Sequence, residues 1–228
     1  MKNKTWNQDN TKKLVVSAIL IAVAFLVTFS TAMFKVSGFL SLDLKDAVLS
    51  MIALLYGPVY GFISVIAIAL LEFVTISTTG LYGLVMNILS SGVFALVCGL
   101  VYKYKRNFGG AILAAILTVF SVTAVMLVAN IFITPLYFQM PRQAVLDMLP
   151  TILLPFNLCK TLMNASLMLL VYKPFVSALR YTGFVKVSEN SASYKISKKS
   201  ILLTVAAVIF LIIAIAVIVS LGVEIKKS

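Results

Sequence analysis

The chain has 228 residues, of which 61% are apolar and 11% are charged, and its mean hydropathy is +1.08. Soluble domains contain roughly 45–50% apolar residues, so this excess indicates an integral membrane protein. Nineteen basic residues stand against seven acidic ones, a surplus that cytoplasmic loops and anionic lipid explain. Without a soluble domain or a basic patch interleaved with aromatic residues, we expect no nucleic-acid partner.

Several kinds of chemistry are excluded by residues that the chain lacks. Histidine is absent, which excludes His-ligated zinc and His-based catalytic triads. Cys98 and Cys159 lie far apart in apolar segments, where we expect packing rather than a disulfide or a metal site. No P-loop motif occurs, so the chain does not contain its own P-loop ATPase. We therefore expect no enzyme activity, no metal and no resident cofactor.

Apolar runs along the chain predict membrane helices, each of roughly 20 residues or fewer where neighbouring protein shields the ends. The polar residues 1–13 precede the first run, which we interpret as a retained helix rather than a signal peptide. Tyr56-Gly57-Pro58 separates two short runs and predicts a sharp turn. The predicted spans are 14–34, 47–55, 59–73, 81–102, 111–133, 151–172 and 201–223.

The last span differs from the others in its uniformity. It has no polar residue between Val205 and Val219, so it should face lipid on most sides and take no part in chemistry. We therefore divide the chain into a cytoplasmic segment 1–13, a six-helix substrate-binding membrane domain 14–180, a polar linker 181–200, an additional transmembrane helix 201–223 and a tail 224–228. The fold class is an all-α integral membrane bundle.

The basic residues of the polar connections are distributed unevenly. If the N-terminus is cytoplasmic, thirteen of them fall on that side of the membrane and five on the other. Lys and Arg concentrate in cytoplasmic loops, so this difference predicts a cytoplasmic N-terminus.

Three polar side chains interrupt the sixth run, in the stretch LLPFNLCKTLMN. Asn157 and Asn164 lie within about 60° of Lys160 on a helix of 3.6-residue period, so the three share one stripe. A lysine at the bilayer centre costs about 2.5–3.5 kcal/mol, which makes it a functional-site hypothesis. The alternative is structural: amides hydrogen-bond between helices for packing, and a lysine near a helix end extends to the interface.

Other runs also contain isolated polar residues: Asn87 in the fourth, Asn130 in the fifth and Glu72 at the end of the third. A shared cavity near the outer side explains them better than separate packing bonds. Amides and a lysine suit a planar, partly apolar ligand with many hydrogen-bonding groups. Side chains that would cover such a ring, or else simply pack, are Tyr56, Phe73, Tyr82, Met86, Phe132, Tyr137, Phe138 and Phe156.

Several spaced motifs resemble a known family of membrane proteins. FLSLDLKDAVLSMIALLYGPVYGFISVIAIALLEF and STTGLYGLVMNILSSGVFAL are similar to segments of the S components of energy-coupling factor (ECF) vitamin transporters. ITPLYF and LLPFNLCK resemble the riboflavin-specific members. The resemblance covers about residues 12–180 and implies a six-helix membrane domain that binds its vitamin in an outward-opening pocket of a bacterial cell membrane. The seventh helix departs from this plan.

The resemblance also implies which residues contact riboflavin, as transported ligand rather than cofactor. Asn157 and Lys160 of the PFNLCK segment should hold the polar edge of the isoalloxazine ring, with Asn130 as a third partner from the fifth helix. Asn164, on the same stripe, is assigned to the site with them.

A second group of residues should face or close over the ribityl chain. These are Asn87 and the loop 41–44, in which we assign Leu42 and Asp43 to the site. Asp43 and Asp46 have an alternative role as caps of the second helix, since acids stabilise a helix N-terminus.

The family further implies protein partners. An S component works with a transmembrane coupling subunit and two ATP-binding subunits, in agreement with the missing P-loop. The docking surface of the family includes an Ala-x-x-x-Ala stripe on the first helix, to which Ala18 and Ala22 correspond. Small residues at this spacing favour close helix approach anywhere in a membrane, and Gly57 and Gly61 match the spacing too.

Three other functions remain as alternatives. An S component for another vitamin, such as pantothenate or thiamine, would share the fold. A membrane-embedded lipid-modifying enzyme would need a nucleophile and base or a metal site, which the sequence does not supply. An ion-coupled carrier would transport without an ATPase partner.

Overall fold

The computed structural model describes residues 3–31, 34–36, 40–181 and 198–225. The first four helices are α1 (Asn3–Thr31), α2 (Lys45–Tyr56), α3 (Pro58–Thr75) and α4 (Gly80–Tyr104). They are followed by α5 (Phe108–Phe138), the short α6 (Arg142–Met148), a π-helical turn (Leu149–Leu153), α7 (Leu154–Tyr181) and α8 (Lys198–Ser220). Three short strands are β1 (Phe34–Val36), β2 (Leu40–Ser41) and β3 (Val223–Ile225).

Most of these helices are long and apolar enough to cross a bilayer, which confirms the predicted helical membrane fold. Among the described residues, five helical stretches meet this standard: Asn10–Thr31, Pro58–Thr75, Gly80–Tyr104, Phe108–Phe138 and Arg142–Val176. The run predicted at 47–55 is the 12-residue helix α2, about 18 Å long at 1.5 Å per residue and so shorter than the hydrocarbon core.

Helix α2 lies at the centre of the bundle and contacts α1, α3, α4 and α7. Leu49, Ile52 and Ala53 on α2 are almost completely buried in the main apolar core, together with Ile68 on α3 and Phe94 on α4. Because α2 is shorter than the helices around it, no helix occupies the space between the outer ends of its neighbours. The cavity described below occupies that outer region.

The predicted turn between α2 and α3 is confirmed. Gly57 has φ 98° and ψ 172°, in the region that glycine adopts without steric cost. Pro58 occupies the first turn of α3, where its missing N–H leaves no helical hydrogen bond unmade. The two residues reverse the chain within one peptide unit and set α3 antiparallel against α2.

Several boundaries differ from the sequence-based predictions. Helix α1 ends at Thr31 rather than 34, after Thr28, Ser30 and Thr31 donate hydrogen bonds to carbonyls one turn earlier, which competes with helix continuation. The connection after α5 is largely helical, because α5 extends to Phe138 and α6 follows.

The last predicted span also ends early. Helix α8 stops at Ser220 and is followed by Gly222 with φ 83°, a conformation typical of helix C-termini. Strand β3 (Val223–Ile225) then joins a small antiparallel sheet in the order β2–β1–β3. The predicted linker 181–200 and tail 224–228 lie mostly outside the described residues.

Candidate ligand-binding site

One cavity of about 650 Å³ opens at the outer ends of the helices. This volume falls within the range of roughly 300–1,000 Å³ typical of small-molecule sites. Its polar lining includes Asp43, Glu72, Asn87, Asn130, Asn157 and Lys160, and its apolar lining includes Phe29, Leu42, Tyr82, Met86, Tyr137, Phe138 and Phe156. The cavity therefore brings together polar residues that the sequence distributes over four helices and one loop.

Helix α7 places two members of its polar stripe in this cavity. Asn157 is buried and donates a hydrogen bond from Nδ2 to the carbonyl of Leu153, at 2.7 Å. Lys160 lies one turn further and donates to Asp43 Oδ2 at 2.8 Å. An amide group forms up to four hydrogen bonds and an ammonium group three, so both side chains retain capacity for a ligand.

Asn164, the third member of the stripe, lies outside the cavity lining. Its side chain is fully buried, with 0% exposure. Oδ1 accepts a hydrogen bond from the backbone N–H of Ala47 at 3.0 Å, and Nδ2 donates to the carbonyls of Asp43, at 2.9 Å, and Lys160, at 3.1 Å. Ala47 is in the first turn of α2, whose N–H groups have no partner within the helix. Asn164 thus caps α2 from another helix and ties the loop to α7.

Asp43 lies in the loop between β2 and α2, and its ion pair with Lys160 connects this loop to α7. Burial by itself raises the pKa of this carboxyl group, but the nearby Lys160 and Lys45 cations and the hydrogen bond from Lys160 outweigh burial and hold the pKa below its ordinary value. Asp43 is therefore ionised at neutral pH. It does not cap α2, since the N-cap position is Leu44 and has no side-chain cap hydrogen bond.

A second buried ion pair lies beside the first. Lys45 Nζ is 2.8 Å and 2.6 Å from the two carboxylate oxygens of Glu72, and 3.9 Å from Asp43 Oδ2. Asn87 Nδ2 donates a hydrogen bond to Glu72 Oε2 at 2.8 Å. Lys45 is 1% exposed and Glu72 is 3% exposed, so each charge depends on the other. The four charged side chains form a continuous network of ion pairs across α7, the loop, α2 and α3. Lys160, Asp43 and Glu72 of this network belong to the cavity wall.

The sequence analysis does not assign Lys45 to the site, although this lysine pairs with the cavity-lining residues Glu72 and Asp43. One signal was present in the sequence: Glu72 stands alone at the end of an apolar run, and a buried carboxylate requires a cation nearby. The alternating charges of LDLKD supply a candidate, although the pairing spans 27 positions along the chain.

Helix α5 contributes a polar pair to the opposite side of the cavity. Asn130 Nδ2 donates to the carbonyl of Met126 at 2.7 Å, and Thr134 Oγ1 donates to Asn130 Oδ1 at 2.9 Å. Both side chains are buried and line the cavity. These bonds fix the orientation of the Asn130 amide and leave one of its N–H groups for a ligand.

The aromatic part of the lining is concentrated at the ends of α4 and α5. Tyr82 packs edge-on against Tyr137, with ring centroids 5.9 Å apart, and Tyr137 packs against Phe138 at 4.6 Å. Of the other proposed ring contacts, Met86 and Phe156 line the cavity. The remaining three, which are Tyr56, Phe73 and Phe132, are not part of the lining.

The proposed docking stripe lies on a different surface. Ala18 and Ala22 are exposed on α1, beside the exposed apolar side chains of Ile19, Val23 and Leu26. This face of α1 is available to lipid or to another membrane protein.

Comparison with known proteins defines the class to which this fold and cavity belong. Residues 12–172 match the family model of the ECF transporter, substrate-specific component. The chain belongs to this family of membrane transport subunits and is a multi-pass protein of the bacterial cell membrane.

Individual relatives agree with this assignment. The riboflavin transporter RibU of Streptococcus thermophilus is 31% identical over 192 residues, which cover 77% of this chain and 90% of that protein. The riboflavin transporter RibU of Staphylococcus aureus is 27% identical over 181 residues, which cover 76% of this chain and 95% of that protein. A solved structure of the S component of a bacterial ECF transporter superposes with a TM-score of 0.65 at 26% identity, covering 75% of this chain and 99% of its own.

Proposed function

We propose that this chain is the riboflavin-binding S component of an ATP-driven ECF importer, and that the outer cavity is its binding site. The observation that supports this most strongly is the composition of the cavity, whose lining combines amides and an ammonium group with aromatic rings. Riboflavin has both features, a flat ring with a polar edge and a polyol chain. The two curated relatives named as riboflavin transporters support the same ligand.

The roles of individual residues follow from their chemistry. Asn157, Lys160 and Asn130 would pair with the carbonyl and N–H groups of the isoalloxazine edge, because they offer both donors and acceptors. Tyr82 and Tyr137 would cover the ring face. The flavin is cargo in this account, not a resident cofactor.

The acidic part of the wall suits the ribityl chain. Glu72 and Asp43 are ionised acceptors, and Asn87 and the backbone around Leu42 lie beside them in the lining. Hydroxyl groups donate to such carboxylates in charge-assisted hydrogen bonds. Asn164 would act indirectly, because it holds the loop at Asp43 and the helix at Lys160 in one arrangement.

Transport would require protein partners. A transmembrane coupling subunit and two ATP-binding subunits would supply the energy, and the exposed face of α1 at Ala18 and Ala22 would dock against the coupling subunit through close helix packing. Ligand binding would order the outer loop around Asp43 before the loaded subunit reorients.

Quenching of flavin fluorescence by the purified protein tests the ligand and the site together. We expect saturable quenching of riboflavin fluorescence that an excess of pantothenate or thiamine leaves unchanged. Lys160→Ala should weaken binding by about 10- to 100-fold, since a hydrogen bond to a charged group contributes about 1.5–3 kcal/mol. Asn157→Ala should weaken it by roughly 2- to 10-fold, since a neutral hydrogen bond contributes about 0.5–1.5 kcal/mol.

The matched control is Lys103→Ala, which removes an exposed lysine from the end of α4 and should bind as the parent does. Displacement of the flavin by pantothenate or thiamine would assign the cavity to another vitamin. Parent-like binding by both cavity variants would contradict the site.

A further inference from the structure

Helix α8 and strand β3 both contact elements that adjoin the cavity. Helix α8 packs along α7, where Ala214 and Ile218 share an apolar cluster with Phe156, Cys159 and Met163. Phe156 also lines the cavity. The outer part of α8 therefore supports α7 from behind, at the level where Asn157 and Lys160 face the ligand site.

Strand β3 is connected to another part of the cavity wall through β1. It pairs antiparallel with β1, with Lys35 opposite Glu224 and Val36 opposite Val223. Strand β1 also pairs with β2, the strand of Leu40 and Ser41. Both residues of β2 line the cavity, so β3 completes a sheet whose far strand forms part of the cavity wall.

The loop that follows β2 joins the same apolar cluster. Leu40, Leu42 and Leu44 pack against the group that contains Ala214 and Ile218. The hairpin β1–β2 is thus held at two places, by backbone pairing with β3 and by side-chain packing near α8. Isolated two-stranded hairpins are marginally stable in water, so a third strand and an apolar support restrain this one substantially.

Helix α8 and strand β3 lie beyond the part of the chain that matches the family. The family match ends at residue 172, whereas α8 begins at Lys198. The predicted membrane topology agrees with the contact between β3 and the hairpin. A cytoplasmic N-terminus places both the hairpin β1–β2 and the end of α8 on the outer side.

We propose that α8 and β3 together form a strap that restrains the outer hairpin over the cavity and slows entry and exit of the ligand. Addition of a strand to an exposed sheet edge supplies main-chain hydrogen bonds, which must break, or move with the hairpin, when the cavity opens. The effect on ligand exchange rests on the proposed function; the effect on the hairpin does not.

A reversible cross-link tests the strap in the full chain. Opposite residues of antiparallel strands have Cα atoms about 4.5–5.5 Å apart, within the range that a disulfide spans. Lys35→Cys combined with Glu224→Cys should form a disulfide on oxidation, since the native Cys98 and Cys159 are buried. Riboflavin release should then slow on the order of tenfold and recover with reductant. The two single variants are the controls.

Weakening the pairing should have the opposite effect. Val223→Pro combined with Ile225→Pro removes backbone donors from β3, and release of riboflavin should become faster. Val223→Ala combined with Ile225→Ala keeps the backbone donors and serves as the matched control. Hydrogen exchange of the backbone amides of residues 40–44 should also be faster in the proline variant than in the alanine variant.

Each outcome decides the proposal. A disulfide that does not form in folded protein, or that forms without changing riboflavin release, overturns the strap. If the parent binds no riboflavin, the proposed function fails, and amide exchange then decides the strap without a ligand: equal exchange in the proline and alanine variants overturns it, and faster exchange in the proline variant supports it.

Discussion

The two ends of the bundle are built on opposite packing principles. At the cytoplasmic end, glycines bring helices into contact: a Cβ atom placed on Gly61 would lie 2.6 Å from Ala53 Cβ, and one on Gly99 would lie 2.7 Å from Pro58 Cα. At the outer end, residues of the same helices α3 and α4 line a cavity of about 650 Å³, and buried ion pairs lie beside it.

This contrast separates the determinants of stability from those of binding. Small residues at the inner end permit dispersion contacts between backbones, which is the main source of helix association in lipid. Charged and amide groups at the outer end are costly to bury, and they are retained where each has a partner. Substitutions at the inner end should therefore affect folding, and those in the cavity should affect the ligand.

The largest expected effect is on stability and comes from a substitution of Lys45, which is buried beside the cavity. Lys45→Met leaves Glu72 buried without its counter-ion, and removal of one partner of a buried pair costs about 3–5 kcal/mol. We expect the thermal unfolding midpoint in detergent to fall sharply. Adding Glu72→Gln to this variant should recover much of the loss, because residue 72 then carries no unpaired charge.

An equally low midpoint in the double variant would contradict this account of Lys45 and Glu72. In that case the lysine would stabilise α2 by packing alone, and the ion pair would not link folding to the cavity.

The next effect breaks the inner end without touching the cavity. Gly61→Val inserts atoms against Ala53 and Ala95, both within 3.3 Å of the position of a Cβ, and overpacking costs typically about 1–3 kcal/mol. The unfolding midpoint should fall while the riboflavin affinity of the folded fraction stays within about twofold of the parent.

The control for this substitution is Leu100→Met, on an exposed face of α4, which should change neither quantity. A Gly61→Val protein that keeps its midpoint and loses riboflavin affinity would reverse the proposed division between the two ends.

The smallest effect is expected for a substitution of Asn164, which should lower both the unfolding midpoint and the riboflavin affinity. Asn164→Ala removes the side-chain cap of α2 and the tether to the Asp43 carbonyl, and loss of a cap costs about 0.5–2 kcal/mol. We expect a modest fall in unfolding midpoint and a several-fold loss of riboflavin affinity, measured by unfolding and by fluorescence titration.

Ser166→Ala, at another buried position of α7, is the comparison for Asn164→Ala and should leave the affinity unchanged. A loss of affinity as large as that of Lys160→Ala would instead indicate that Asn164 contacts the ligand directly.

The stripe on α7 was predictable because helical periodicity alone relates Asn157, Lys160 and Asn164. The angle around a helix does not specify depth or neighbours, however, and Asn164 faces α2 rather than the cavity. The partners of Lys45 depend on how α2 and α3 pack, which no local pattern encodes. The strand β3 was not predicted, because it directly follows the apolar run of α8. Hydrophobicity alone does not distinguish the end of a helix from a short strand.

The visible absorption spectrum of the protein purified from riboflavin-containing medium tests the central claim most directly. The account predicts about one bound flavin per chain in the parent and in Lys103→Ala, and little or none in a variant that combines Asn157→Ala with Lys160→Ala. A folded, colourless parent that takes up no added riboflavin would contradict the account, as would a double variant with full flavin content.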